Sequence, residues 1–176
     1  FTMLGQVKAQ TPEATPVQSH IAYITQKGSD DAIYRMNADG TDQTLIFSDG
    51  TGILDLALSP DGTQFAFYNT NSWRSGICVV QIDGTNKHCL TSNLDDIHPM
   101  WSPDGKSILY QFNVSPYAQI YLMNTHGTGV RQITSDAHDD QSPGWSPDGK
   151  QIVFVSSASA LSGIYVMNLD GTGKQR

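Results

Sequence analysis

One nine-residue phrase occurs four times in this chain. Ile33-Tyr34-Arg35-Met36-Asn37-Ala38-Asp39-Gly40-Thr41 returns as Ile77-Cys78-Val79-Val80-Gln81-Ile82-Asp83-Gly84-Thr85. It returns again as Ile120-Tyr121-Leu122-Met123-Asn124-Thr125-His126-Gly127-Thr128, and then as Ile164-Tyr165-Val166-Met167-Asn168-Leu169-Asp170-Gly171-Thr172. The glycines Gly40, Gly84, Gly127 and Gly171 are spaced 44, 43 and 44 residues apart. A fixed period of that length marks a row of equal supersecondary units, each of which must bury a face against its neighbour.

A second marker falls between the glycines. Ser-Pro-Asp-Gly occupies Ser59–Gly62, Ser102–Gly105 and Ser146–Gly149. Proline presets φ at the second turn position, aspartate accepts the bridge conformation, and glycine takes the left-handed exit. Short β-rich segments flank these turns; in the third unit they are Ile97–Trp101, Ser107–Phe112, Gln119–Asn124 and Val130–Thr134. Four short strands per unit of about 40–45 residues is the pattern of a propeller blade. No stretch sustains a 3.6-residue period, so an all-β chain with almost no helix is expected.

These residues resemble the TolB-like propeller repeat, with its Trp-Ser-Pro-Asp-Gly-Lys turn followed by Ile-Tyr-x-Met-Asn-x-Asp-Gly. Trp101–Lys106 and Trp145–Lys150 match it closely, whereas the second unit has Leu58 for tryptophan and Thr63 for lysine. The resemblance runs over roughly residues 20–172 and implies a β-propeller; with four repeats counted, the expected fold is a four-bladed β-propeller of four-stranded antiparallel blades. It is specific for fold and says little of activity, since such discs serve as scaffolds, gates and binding surfaces.

Counting strands leaves two blades incomplete. The first has His20–Thr25, Ala32–Ala38 and Gln43–Phe47 and lacks an innermost strand with Ser-Pro-Asp-Gly. The fourth has Gln141–Trp145, Gln151–Ser156 and Gly163–Asn168, and no outer strand after its Asp170-Gly171-Thr172 turn. The N-terminal segment 1–9 reads as a replacement: Phe1, Met3, Val7 and Ala9 alternate with polar neighbours, interrupted by Leu4 and Gly5. Residues 10–19 form a Thr/Pro-rich connector and 20–176 the propeller.

The strand completing blade four admits three readings. It closes the ring in cis, it enters the next copy in trans, or the chain is a fragment of a larger ring. Donation in trans makes the chain its own partner, head to tail, in an extracellular fibre or oligomer. The stiff connector suits it, and burying Phe1, Met3 and Val7 would supply about 5–8 kcal/mol. The alternative is a monomeric, cis-closed envelope scaffold that binds a protein or peptide at its channel mouth.

Bulk properties narrow the classes. A net charge of −7 argues against nucleic acid, which needs a basic face. No run of 18 apolar residues is present, so no membrane-spanning helix is expected. Cys78 and Cys89 fall on strands either side of the Asp83-Gly84 turn, almost opposite each other, so a cross-strand disulfide is expected alongside the option of two free thiols. A disulfide implies an oxidising, extracellular or periplasmic compartment. Val7-Lys8-Ala9 also fits a signal-peptidase site. Thr11 and Thr15 before prolines suit O-glycosylation, and Asn113-Val114-Ser115 is a sequon, followed by Pro116.

Chemistry-bearing constellations are sparse. There is no Gly-x-Ser-x-Gly elbow, His-Glu-x-x-His, phosphate loop or Cys-x-x-Cys, so catalysis is not expected. Asp95-Asp96 and Asp139-Asp140 precede the inner strands of blades three and four, where clustered hard oxygens would suit Ca²⁺. The competing reading is turn capping by backbone N–H groups. No cofactor is required, and His98 reads as a channel-lining residue.

Overall fold

The computed structural model describes residues 20–27, 30–50, 52–70, 75–157 and 161–176; the segment 1–9 and Thr11 and Thr15 lie outside these. No α-helix forms among the described residues. Fourteen strands build four antiparallel sheets. The first holds β1 (His20–Lys27), β2 (Asp30–Asn37) and β3 (Thr44–Phe47). The second holds β4 (Ile53–Leu58), β5 (Gln64–Asn69), β6 (Gly76–Gln81) and β7 (His88–Cys89). The third holds β8 (Asp96–Trp101), β9 (Ser107–Phe112), β10 (Gln119–Asn124) and β11 (Arg131–Gln132). The fourth holds β12 (Asp140–Trp145), β13 (Gln151–Ser156) and β14 (Gly163–Asn168).

Turn chemistry sets these hairpins. In each Ser-Pro-Asp-Gly turn the serine hydroxyl donates to the aspartate and accepts the N–H that restarts the strand. Ser102 Oγ donates to Asp104 Oδ1 at 2.7 Å and accepts from Ser107 N at 3.0 Å. Ser59 and Ser146 repeat the arrangement. That hydroxyl bond, with the backbone N–H that follows, holds the Asp61, Asp104 and Asp148 carboxyls below the usual range.

Adjacent blades meet through one repeated interface. One face of each sheet carries the isoleucine that opens the nine-residue phrase; the other carries its tyrosine and methionine, or Cys78 and Val80 in the second sheet. Leu109, Ile120 and Ile133 of the third sheet pack against Ile152, Phe154, Tyr165 and Met167 of the fourth. Ala66, Ile77 and Val79 pack in the same way against Trp101, Ile108, Tyr110 and Met123. Ile33 packs against Ile53, Phe65, Phe67, Cys78 and Val80. The turn glycines press on the preceding blade: a Cβ on Gly84 would lie 2.0 Å from the Ile46 carbonyl oxygen, and one on Gly127 would lie 2.6 Å from that of Leu90. A Cβ on Gly40 would meet nothing within 4 Å.

Two expectations about closure need correction. The first and fourth sheets do not touch among the described residues, so the four blades form an open arc and not a closed ring. The outer position of blade four is also not bare. Gln175 exchanges both backbone hydrogen bonds with Val166 at 2.8 Å, where Arg131 pairs with Leu122 one blade earlier. The chain itself therefore begins the fourth strand of blade four, because its turn repeats the Gly-Thr-Gly geometry that launches β11 from β10.

Candidate functional site

The inner strands β4, β8 and β12 run side by side toward the propeller axis, and each carries a β-bulge at the same repeat position. The bulges lie between Leu54 and Ala57, Ile97 and Met100, and Gln141 and Gly144. Each places a non-glycine residue in the left-handed region: Asp55 at φ 55°, His98 at 53° and Ser142 at 51°. Such a conformation is costly for a side-chain-bearing residue and persists only where its surroundings enforce it. Here a bulge re-aims one side chain per blade. Gln111, itself buried, enforces one case by accepting the Ser142 N–H at 3.0 Å through its Oε1.

These three residues share a cleft of about 210 Å³ with Leu56, Pro99, Met100 and Pro143. His98 Nε2 lies 3.5 Å from Asp55 Oδ1, joining blades two and three, and forms an ion pair when the imidazole is protonated. Tyr68 stands close by and donates its hydroxyl to the Leu94 carbonyl at 2.9 Å. Burial first, then the Asp95 and Asp55 carboxylates, raises its phenol above the ordinary tyrosine value. The mouth is thus an apolar cleft, with Leu56, Pro99, Met100 and Pro143 in its lining, that carries one acid, one imidazole and one hydroxyl. It can hold an extended peptide or a side chain through hydrogen bonds and apolar contact. Of the three, only His98 was singled out by sequence as lining the channel. The bulged residues themselves are of three different types, and only the third and fourth blades share the proline that follows (Pro99 and Pro143), so the signal lay in their aligned repeat positions.

The structure disperses the other carboxylates considered for metal. Among the described residues no three His, Cys, Asp or Glu side chains converge to hold a metal ion. Asp139 Oδ1 accepts from Ala118 N at 2.8 Å, which is the capping role. Asp96 is buried, and that burial raises its carboxyl above the usual range, with the Thr91 hydroxyl opposing the shift. Asp140 is fully buried with Lys174 Nζ at 3.5 Å, and Lys174 also contacts Asp136 and sits over the Phe154 and Tyr165 rings. Asp95 is exposed on the turn before β8.

Cys78 and Cys89 stand directly opposite each other on β6 and β7 and are joined by a disulfide. Asn113 is exposed in the loop after β9. Its N–H donates to the Asp95 carbonyl at 2.8 Å.

Repeated antiparallel sheets of three or four strands, Ser-Pro-Asp-Gly turns and inner strands bulged at one repeat position define a β-propeller. The family model for the TolB beta propeller domain matches residues 8–176, and the chain belongs to that family. It is 32% identical over 129 residues to the protein TolB homolog of Chlorobium luteolum, covering 73% of this chain and 29% of that one. It is 29% identical over 130 residues to the Tol-Pal system protein TolB of Anaeromyxobacter sp. strain K, covering 74% of this chain and 30% of the relative. Among solved structures, TolB from Acinetobacter baumannii superposes with a TM-score of 0.79 at 25% identity, over 89% of this chain and 41% of that one. The chain therefore spans about three tenths of the length of the curated relatives it matches.

Proposed function

We propose that this chain is a non-catalytic propeller of the cell envelope that binds a protein or peptide at its axial mouth. The observation that carries this reading is the threefold bulge: Asp55, His98 and Ser142 each stand at a positive φ and together line one cleft. Membership of the TolB family and the Cys78–Cys89 bridge support work outside the cytoplasm, in the periplasm or beyond it. By likeness to the Anaeromyxobacter protein, the partner is sought among the proteins of a Tol-Pal system.

The fibre built by donation of Phe1, Met3, Leu4, Val7 and Ala9 finds no support in the comparisons. Its docking edge on β14 is already engaged by Gln175. The test of the mouth is calorimetric titration of the chain with the purified Tol-Pal proteins of Anaeromyxobacter. Binding to one of them, weakened by about tenfold or more in Asp55→Lys, is the expected result. Heat from none of them, or equal affinity in the variant, would refute the reading.

A further inference from the structure

The face that carries the Ser-Pro-Asp-Gly turns holds two clefts that the mouth does not use. One, of about 350 Å³, lies between the turns of the second and third sheets, with Pro60, Asp61, Trp101, Pro103 and Asp104 in its lining. The other, of about 330 Å³, lies one repeat further on, with Pro103, Asp104, Leu122, Trp145, Asp148 and Leu169 in its lining. The two share Pro103 and Asp104, and no residue of either lines the mouth. Successive turns stand close enough to form a row: a Cβ on Gly149 would lie 3.6 Å from Pro103 Cδ, and one on Gly105 would lie 3.8 Å from Pro60 Cδ.

Both clefts have the same construction. In each, a tryptophan donates its indole N–H to the preceding blade: Trp101 to the Ala57 carbonyl and Trp145 to the Met100 carbonyl, both at 3.2 Å. That bond fixes the indole and uses its one donor, so the ring presents only apolar and π surface to a ligand. The rim is anionic, with Asp61 and Asp104 on the first cleft and Asp104 and Asp148 on the second, all exposed. Their turn hydrogen bonds fall on Oδ1: Asp104 Oδ1 accepts from the Ser102 hydroxyl at 2.7 Å and from Lys106 N at 3.1 Å, and Asp61 and Asp148 repeat this. Each Oδ2 keeps its acceptor capacity for a ligand. The same bonds hold these carboxyls below the usual range, so the rim is charged at neutral pH. Lys106 and Lys150 follow two of the turns but line neither cleft.

A side chain matched to such a cleft has an aliphatic stem ending in a cation. The stem packs on tryptophan and proline, and the head reaches the carboxylates. Paired carboxylates repel anions, and a net charge of −7 attracts a cationic partner from a distance. Two clefts sharing one carboxylate favour two such side chains on one segment, because the second enters at high effective concentration. We infer that the turn face of the second, third and fourth sheets docks a basic segment of a partner protein, with one lysine or arginine side chain in each cleft. This surface is separate from the mouth at Asp55 and His98, so it stands or falls independently of binding there.

The test is fluorescence anisotropy of a fluorescein-labelled hexalysine peptide titrated with the full chain at low salt, with labelled hexaglutamate as the negative control. The chain is expected to bind hexalysine and not hexaglutamate. Asp104→Asn keeps an oxygen for the Ser102 hydroxyl and the Lys106 N–H, so the turn is retained while both clefts lose a charge. Its affinity is expected to fall about fivefold or more. Trp145→Leu installs the residue type that the second repeat carries at Leu58, and is expected to weaken binding about threefold. Asp39→Asn removes the same charge from an exposed turn outside the clefts and is expected to change affinity less than about twofold at the same salt. Absence of hexalysine binding overturns the proposal. So do equal losses in Asp104→Asn and Asp39→Asn, which would mean general charge attraction. A loss in Asp55→Asn as large as that in Asp104→Asn would place the peptide at the mouth and overturn it too.

Discussion

Ile120 and Ile164 occupy one repeat position in two environments, so a matched pair of alanine substitutions isolates the blade–blade contact. Ile120 is 0% exposed at the centre of the cluster with Leu109, Ile152 and Phe154. Truncating a fully buried isoleucine costs about 2–5 kcal/mol, transfer and cavity terms together. Ile164 is 65% exposed, so Ile164→Ala removes about a third of that transfer and leaves no enclosed cavity. Its cost, strand propensity included, is about 1 kcal/mol or less. Thermal unfolding followed by circular dichroism, at a dilution where scattering shows single chains, converts this to temperature. At about 2–4 °C per kcal/mol, a 3 kcal/mol loss lowers the Tm of Ile120→Ala by about 6–12 °C, against about 4 °C or less for Ile164→Ala. Equal shifts would refute the reasoning, since they would mean that the two isoleucines are equally covered.

Three further outcomes follow from the turns, the bridge and the carboxylates. Gly40→Ala and Gly84→Ala share the left-handed penalty at φ 84° and 82°, but only Gly84 would drive a Cβ into the Ile46 carbonyl. In urea unfolding, Gly84→Ala is expected to be the more destabilising by at least about 1 kcal/mol; equal losses would contradict the close approach. Reducing Cys78–Cys89 opens a loop with a sequence separation of 11 and should cost about 3 kcal/mol, read as a shift in urea midpoint with and without reductant. An unmoved midpoint would show that the bridge constrains nothing. Asp61, Asp104 and Asp148 have folded pKa values below their unfolded ones, so their contribution is present above about pH 4 and lost as pH falls through the folded values. Asp96 has the opposite sign: its raised carboxyl lowers stability as pH rises through its folded value. Asp96→Asn should therefore gain on the wild type between pH 3 and pH 7, and a constant difference in unfolding free energy would refute it.

The repeat made the strands and turns legible. A 44-residue period and two turn motifs locate the strands of the third and fourth sheets, from Asp96 to Asn168, within a residue or two, because each hairpin is fixed by local hydrogen bonds such as Ser102 Oγ to Ser107 N. The three-stranded first sheet was legible for the same reason. Closure was not, because it depends on the curvature accumulated over successive blade contacts, and no single residue encodes it. Nor was the start of a strand at Gln175, a single pairing that no alternation pattern marks. At the mouth, sequence drew attention to paired aspartates, whereas the structure gathers Asp55, His98 and Ser142. A bulge shifts the two-residue period by one position, which turns toward the cleft residues that simple alternation assigns elsewhere.

Amide hydrogen exchange under dilute, single-chain conditions compares β10 and β14, which read Gln-Ile-Tyr-Leu-Met-Asn and Gly-Ile-Tyr-Val-Met-Asn. One lies between two blades and the other has a face in solvent, so β14 is predicted to exchange faster by at least about an order of magnitude. Equal protection of the two strands would mean that blade four is covered on both sides, which the exposure of Ile164 and Val155 contradicts.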